Sequence, residues 1–118
     1  MSLFRAIPLA LHGVIEIVAA PVLIVAPFVL GFGYAAGAAS IALGTLLMGL
    51  ALSTHGEVRT IGLGAHAGFD YVIAALAIAA GSVLALGSAP LVATIFLVGF
   101  GVAHMALTAS TRFSVRGT

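Results

Sequence analysis

The stretch "LHGVIEIVAAPVLIVAPFVLGF" (residues 11–32) is apolar at almost every position, yet it carries His12 and Glu16 four residues apart. A run this long and this apolar predicts a helix that crosses a bilayer, for which about 20 such residues suffice. On that helix a spacing of four stacks the imidazole and the carboxylate on one face. A carboxylate inside the hydrocarbon costs roughly 2.5–3.5 kcal/mol on insertion scales, so that face should point into protein and find a partner.

The rest of the chain extends this reading. Of 118 residues, 63% are hydrophobic and 6% charged, against about 45–50% and 25% in soluble proteins, and the mean hydropathy is +1.33. Residues 17–56 carry no formal charge, and residues 71–111 are interrupted only by His104, so each run has room for two spans. "GFGYAAG" (31–37) and "LGSAP" (86–90) supply turns where the division requires them. Helices are predicted over 8–30, 35–54, 64–86 and 90–110. The expected fold is all-α: an integral membrane four-helix bundle of two tandem hairpins, with residues 1–118 as one domain, repeat 1 over 8–54, a loop over 55–63 and repeat 2 over 64–110.

Pro8 and Pro90 suit first-turn positions, whereas Pro21 and Pro27 fall inside the first span. The absence of cysteine excludes disulfides and thiolate ligands. Arg5 before an apolar stretch has the look of a signal peptide. His12 and Glu16 interrupt that stretch, however, and Pro27 and Phe28 stand where small cleavage-site residues would be needed, so a retained helix is expected. Arg5, Arg59, Arg112 and Arg116 all fall in the tails and the central loop, which the positive-inside rule places in the cytoplasm. A net charge of +1 gives no basis for nucleic-acid binding.

The halves are similar. "HGVIE" (12–16) and "HAGFD" (66–70) share a His-x-x-x-acid pattern, and "GTLLMGLALS" (44–53) aligns without gaps to "GFGVAHMALT" (99–108), setting Gly49 against His104. The stretch "VAPFVLGF" (25–32), closing a first helix ahead of a Gly/Ala-rich second one, resembles the SPW-repeat membrane proteins, built from such two-helix units. The family's Ser-Pro-Trp reads Ala26-Pro27-Phe28 here, "ALGSAPL" (85–91) occupies the corresponding region of the second half, and the chain has no tryptophan. The resemblance implies a bacterial inner-membrane protein of a family without an established biochemical role.

At 1.5 Å per residue Glu16 lies about 12 Å and His12 about 6 Å from the cytoplasmic boundary, and His66, Asp70 and His104 share that half. His55 is expected near the interface, with Ser53 and Thr54 bonding back to helix carbonyls. Three uses of the polar layer are open. Histidine and carboxylate can act as polar glue between helices, helped by small-residue stripes at Gly33/Gly37, Ser40/Gly44, Gly64/Gly68 and Gly99/Ala103. Alternatively, His12, His66 and His104 could bind a haem or chlorin, or with Glu16 and Asp70 a divalent metal such as zinc, iron or manganese. Proton or ion transport is the third, with Tyr34, Ser40, Thr45, Ser82 and Thr94 as the only polar steps beyond the layer.

No enzyme motif is present, neither Gly-x-Ser-x-Gly, nor His-Glu-x-x-His, nor a phosphate loop. Tyr34 and Tyr71 read equally as interfacial anchors or site residues, with Tyr71, next to Asp70, the better placed to line the interior. The leading expectation is an accessory, assembly or structural subunit embedded in the bilayer, in a homo-oligomer or a larger membrane complex.

Overall fold

The computed structural model describes residues 5–54 and 61–113. Four helices make up nearly all of it: α1 (Leu9–Leu30), α2 (Tyr34–Thr54), α3 (Leu63–Ala85) and α4 (Leu91–Ala109). Each is long and apolar enough to cross a membrane. The prediction placed every helix to within a residue at each end. Pro8 and Pro90 cap α1 and α4 from just outside the first turn, and α1 runs on through Pro21 and Pro27. It stops at Gly31, whose φ of 67° lets its N–H reach back to the Pro27 carbonyl, and Gly33 (φ 78°) completes the turn into α2.

Two antiparallel hairpins, α1–α2 and α3–α4, pack side by side through α2 and α3, with α4 returning more loosely to α1. Helices α1 and α3 therefore stand across the bundle from each other. The interior combines small and polar side chains with leucines such as Leu23, Leu47 and Leu97, and the outer surface carries large apolar ones such as Val18, Phe28, Val83 and Ile95. A water-soluble fold distributes them the other way.

Glycine and alanine decide how closely each hairpin closes. A Cβ on Gly44 would meet the Ala20 carbonyl at 2.8 Å, and one on Gly101 would meet the Ala74 carbonyl at 2.7 Å. Ser40, beside Gly44 on the buried face, donates to the Leu23 carbonyl at 2.6 Å. Two of the expected stripes lie elsewhere. Gly64, Gly68, Gly99 and Ala103 face outward, and an added Cβ on any of the three glycines would meet nothing within 4 Å. Gly33 belongs to the turn, while Gly37 packs on Pro27. Gly81 and Gly101, absent from the predicted stripes, close the α3–α4 hairpin.

The halves correspond in their buried faces. A shift of 54 residues carries buried His12, Glu16, Ala20, Leu23 and Pro27 onto His66, Asp70, Ala74, Ala77 and Gly81, also buried. A shift of 57 carries Ala36, Ser40, Gly44, Leu47 and Ala51 onto Ala93, Leu97, Gly101, His104 and Thr108. The gapless alignment of 44–53 to 99–108 is thus two residues out of register, and the counterpart of His104 is Leu47 rather than Gly49. The identities Gly44/Gly99, Ala51/Ala106 and Leu52/Leu107 favour that alignment, whereas burial follows the helix face.

One element was not anticipated. Ile7–Pro8 (β1) pairs in parallel with Thr111–Arg112 (β2), and the Ile7 N–H donates to the Ser110 carbonyl at 2.9 Å. The two outer ends of the described bundle are thereby tied together at one pole. Arg5 is exposed and Arg112 half-buried at that pole, while Arg59, Arg116 and His55 lie outside the described residues.

Candidate functional site

The polar layer sits under that pole, at the start of α1 and α3 and near the end of α4. His12, Glu16, His66, Asp70 and His104 are all buried, and the bundle brings them to one point. The expected stacking along each helix is present: His12 Nε2 lies 3.1 Å from Glu16 Oε2, and His66 Nε2 lies 3.1 Å from Asp70 Oδ2. The shorter approaches are crossed, however. His12 Nε2 reaches Asp70 Oδ2 at 2.9 Å and His66 Nε2 reaches Glu16 Oε1 at 3.0 Å, so each α1 side chain takes its partner from α3. His104 Nε2 approaches Asp70 Oδ1 at 3.0 Å and Glu16 Oε2 at 3.5 Å.

Every one of the three Nε2 atoms therefore touches both carboxylates, giving six N···O approaches among five side chains. At most three Nε2–H protons exist to direct them. Only three approaches, His12–Asp70, His66–Glu16 and His104–Asp70, have hydrogen-bonding geometry. Glu16 Oε2 lies 3.1 Å from one of these nitrogens, yet no N–H is directed at it, and it stays buried without a hydrogen bond. His66 Nδ1 is likewise buried and unpaired.

Three further contacts shape the layer. Thr111 Oγ1, delivered by β2, lies 2.7 Å from His12 Nδ1, and Phe113 packs edge-on to the His12 ring with centroids 5.2 Å apart. Phe100, one turn before His104, stacks on that imidazole at 5.2 Å with planes 15° apart. The sequence reading omitted Thr111, Phe113 and Phe100. A signal for Thr111 existed: His104, Thr108 and Thr111 recur at spacings of four and three, one helical face continued past the end of α4. Tyr71 was expected to line the interior, but it is 41% exposed and outward, because the buried stripe of α3 passes through Asp70, Ile73 and Ala74.

Toward the opposite pole the interior turns dry. Leu23, Leu43, Leu47, Leu50, Ile73 and Leu97 form one apolar cluster, reaching from beside the layer on α2 toward Ala26, Phe32, Ala36 and Ala93 at that pole. Of the polar steps considered for transport, Tyr34, Thr45 and Ser82 face outward, Ser40 is spent on the Leu23 carbonyl, and only Thr94 keeps a buried hydroxyl without a hydrogen bond among the described residues. Ser53 and Thr54 do bond back to the Leu50 carbonyl at 2.7 and 3.2 Å, as their position suggested.

Charge sharpens the chemistry of the layer. Two carboxylates are buried together, and among the described residues no arginine or lysine pairs with either. If ionised they need two positive charges, supplied by protons on the imidazoles or by one divalent cation. One ligand atom each from His12, Glu16, His66 and Asp70 lies within 4.8 Å of the others, wider than the tetrahedral edge of about 3.4 Å around zinc, so one ion would have to draw them inward. Comparison of the chain with protein-family models, with characterised proteins and with solved structures gave no match.

Proposed function

We propose that this chain is a multi-pass protein of the bacterial inner membrane, with the tied pole facing the cytoplasm, and that its buried layer holds one divalent first-row metal ion. His12 Nε2, His66 Nε2 and one oxygen each from Glu16 and Asp70 are the ligands, and His104 fixes the second Asp70 oxygen. The carrying observation is the excess of approaches over protons. Six N···O distances of 2.9–3.5 Å have at most three Nε2–H protons between them, so three of the six close approaches are left without one. Three of the six join proposed ligand atoms, His12 Nε2 to Glu16 Oε2 at 3.1 Å, His12 Nε2 to Asp70 Oδ2 at 2.9 Å and His66 Nε2 to Asp70 Oδ2 at 3.1 Å, close to the edges, about 3.0–3.4 Å, of a coordination shell of radius about 2.1 Å. Glu16 Oε2, buried without a hydrogen bond, gains a partner in the same step. The donor set of imidazole and carboxylate suits zinc, iron or manganese.

A haem or chlorin has less support, since Asp70 Oδ2 stands between the two imidazoles, 2.9 and 3.1 Å from their Nε2 atoms, where a macrocycle would have to pass. The dry apolar cluster beyond the layer favours holding an ion over conducting one. On this reading the ion bridges the two hairpins, which arose by tandem duplication, and makes the chain a small accessory or assembly subunit. Outward-facing Gly49, Gly64, Gly68 and Gly99 leave room for lateral contact with another copy or a larger membrane complex.

Metal removal tests the reading. An ion present at a hundredfold excess over its dissociation constant stabilises the folded state by about 2.7 kcal/mol. Detergent-purified protein is expected to unfold at lower temperature after chelation and to recover with one equivalent of Zn²⁺, Fe²⁺ or Mn²⁺. His66→Ala protein should show neither response. Unfolding that is the same before and after chelation and metal addition would leave the layer as hydrogen-bonded glue.

A further inference from the structure

The C-terminal strap reaches the layer through one hydroxyl, and the hydrogen atoms there can be assigned by elimination. Thr111 Oγ1 has a single proton, and it donates to the Leu107 carbonyl at 2.6 Å. At its contact with His12 Nδ1, 2.7 Å away, the hydroxyl can then only accept, so Nδ1 carries the hydrogen. A protonated His12 would donate from Nε2 to Asp70 as well, whereas the neutral imidazole has only the Nδ1–H and keeps a lone pair on Nε2. That lone pair faces Asp70 Oδ2 at 2.9 Å and Glu16 Oε2 at 3.1 Å, where a cation is welcome and a bare nitrogen is not.

We infer that Thr111 is a positioning residue for the buried centre: its hydroxyl locks His12 in the Nδ1–H form and so presents Nε2 as a ligand. The inference rests on the metal reading for its purpose but not for its geometry. The hydroxyl is itself held on two sides. The Leu107 carbonyl fixes its rotamer, and the pairing of Thr111–Arg112 with Ile7–Pro8 fixes its backbone. Phe113, with ring centroids 5.2 Å from His12 and 5.9 Å from His66, covers both rings on the strap side. A ligating histidine commonly has its other nitrogen oriented in this way, and loss of the orienting group costs about 10–100-fold in metal affinity. Among the described residues His66 Nδ1 has no such partner, so the two repeat-related ligands are held unequally.

The test compares wild type with Thr111→Val, which keeps the shape and removes the hydroxyl, and with Thr111→Ser, which keeps the hydroxyl. Two readouts are used: histidine ¹⁵N NMR of the metal-free protein, recorded where His12 bears a single proton, and Zn²⁺ affinity by competition with a chelating dye. In wild type and Thr111→Ser, His12 is expected as the Nδ1–H tautomer. Thr111→Val should lose that preference and bind Zn²⁺ about 10–100-fold more weakly, with Thr111→Ser close to wild type. Should Thr111→Val not fold, Thr111→Ala takes its place in the same two measurements. A neutral Nε2–H form in wild type, or Zn²⁺ affinity unchanged without the hydroxyl, overturns the inference. Absence of Zn²⁺ binding in wild type counts against the metal centre alone, and the tautomer comparison then decides the role of Thr111 by itself.

Discussion

Asp70→Asn is expected to destabilise the bundle by about 3–5 kcal/mol, the range for leaving one member of a buried charged cluster unpaired, and Glu16→Gln by clearly less. Both changes remove one negative charge at almost constant volume, so charge alone cannot separate them. Partners do. Asp70 meets His12 and His66 through Oδ2 at 2.9 and 3.1 Å and His104 through Oδ1 at 3.0 Å, spanning three helices. Glu16 has one hydrogen bond, from His66, and an oxygen with none. An amide at position 70 would turn a donor toward at least one imidazole that already carries its own. Thermal or denaturant unfolding in detergent, with metal content measured alongside, checks the order. Equal losses would mean a layer centred between the hairpins, and a greater loss for Glu16→Gln would contradict the partner assignment.

The second large effect lies away from the layer. Gly101→Ala is expected to cost about 1–3 kcal/mol, as overpacking of a closed contact does, while Gly68→Ala should change stability by no more than about 0.5 kcal/mol. A Cβ at position 101 would stand 2.7 Å from the Ala74 carbonyl and 3.0 Å from the Ile78 nitrogen, backbone atoms that move only if α3 and α4 separate. At position 68 it would meet nothing. The same unfolding measurement reads both variants. A stable Gly101→Ala protein would show that the hairpins are held by something other than close backbone approach.

These two sites mark what could be read from sequence and what could not. Helix number and bounds were legible because runs of uncharged residues and Gly/Pro turns act locally. Burial of the ionisable residues was legible too, because Glu16 and Asp70 have a high cost anywhere but inside. Which histidine meets which carboxylate was not. The i, i+4 spacing speaks for pairs along one helix, while the crossing of His12 to Asp70 and His66 to Glu16 depends on α1 and α3 standing across the bundle. Glycine stripes misled for a similar reason: Gly64 and Gly68 have the spacing of a packing face, but the buried stripe of α3 runs through His66 and Asp70, two residues along. Thr111 escaped because it follows the end of α4 and reaches His12 only through a strand pair between segments about a hundred residues apart.

The central claim is that two imidazoles and two carboxylates share one ion. X-ray absorption at the metal edge of detergent-purified protein loaded with one equivalent of Zn²⁺ tests it most directly. The account predicts a first shell of nitrogen and oxygen only, at about 2.0–2.2 Å, with outer-shell scattering from two imidazole rings that falls to one in His66→Ala. Zinc without imidazole scattering, or a spectrum unchanged by His66→Ala, would contradict it.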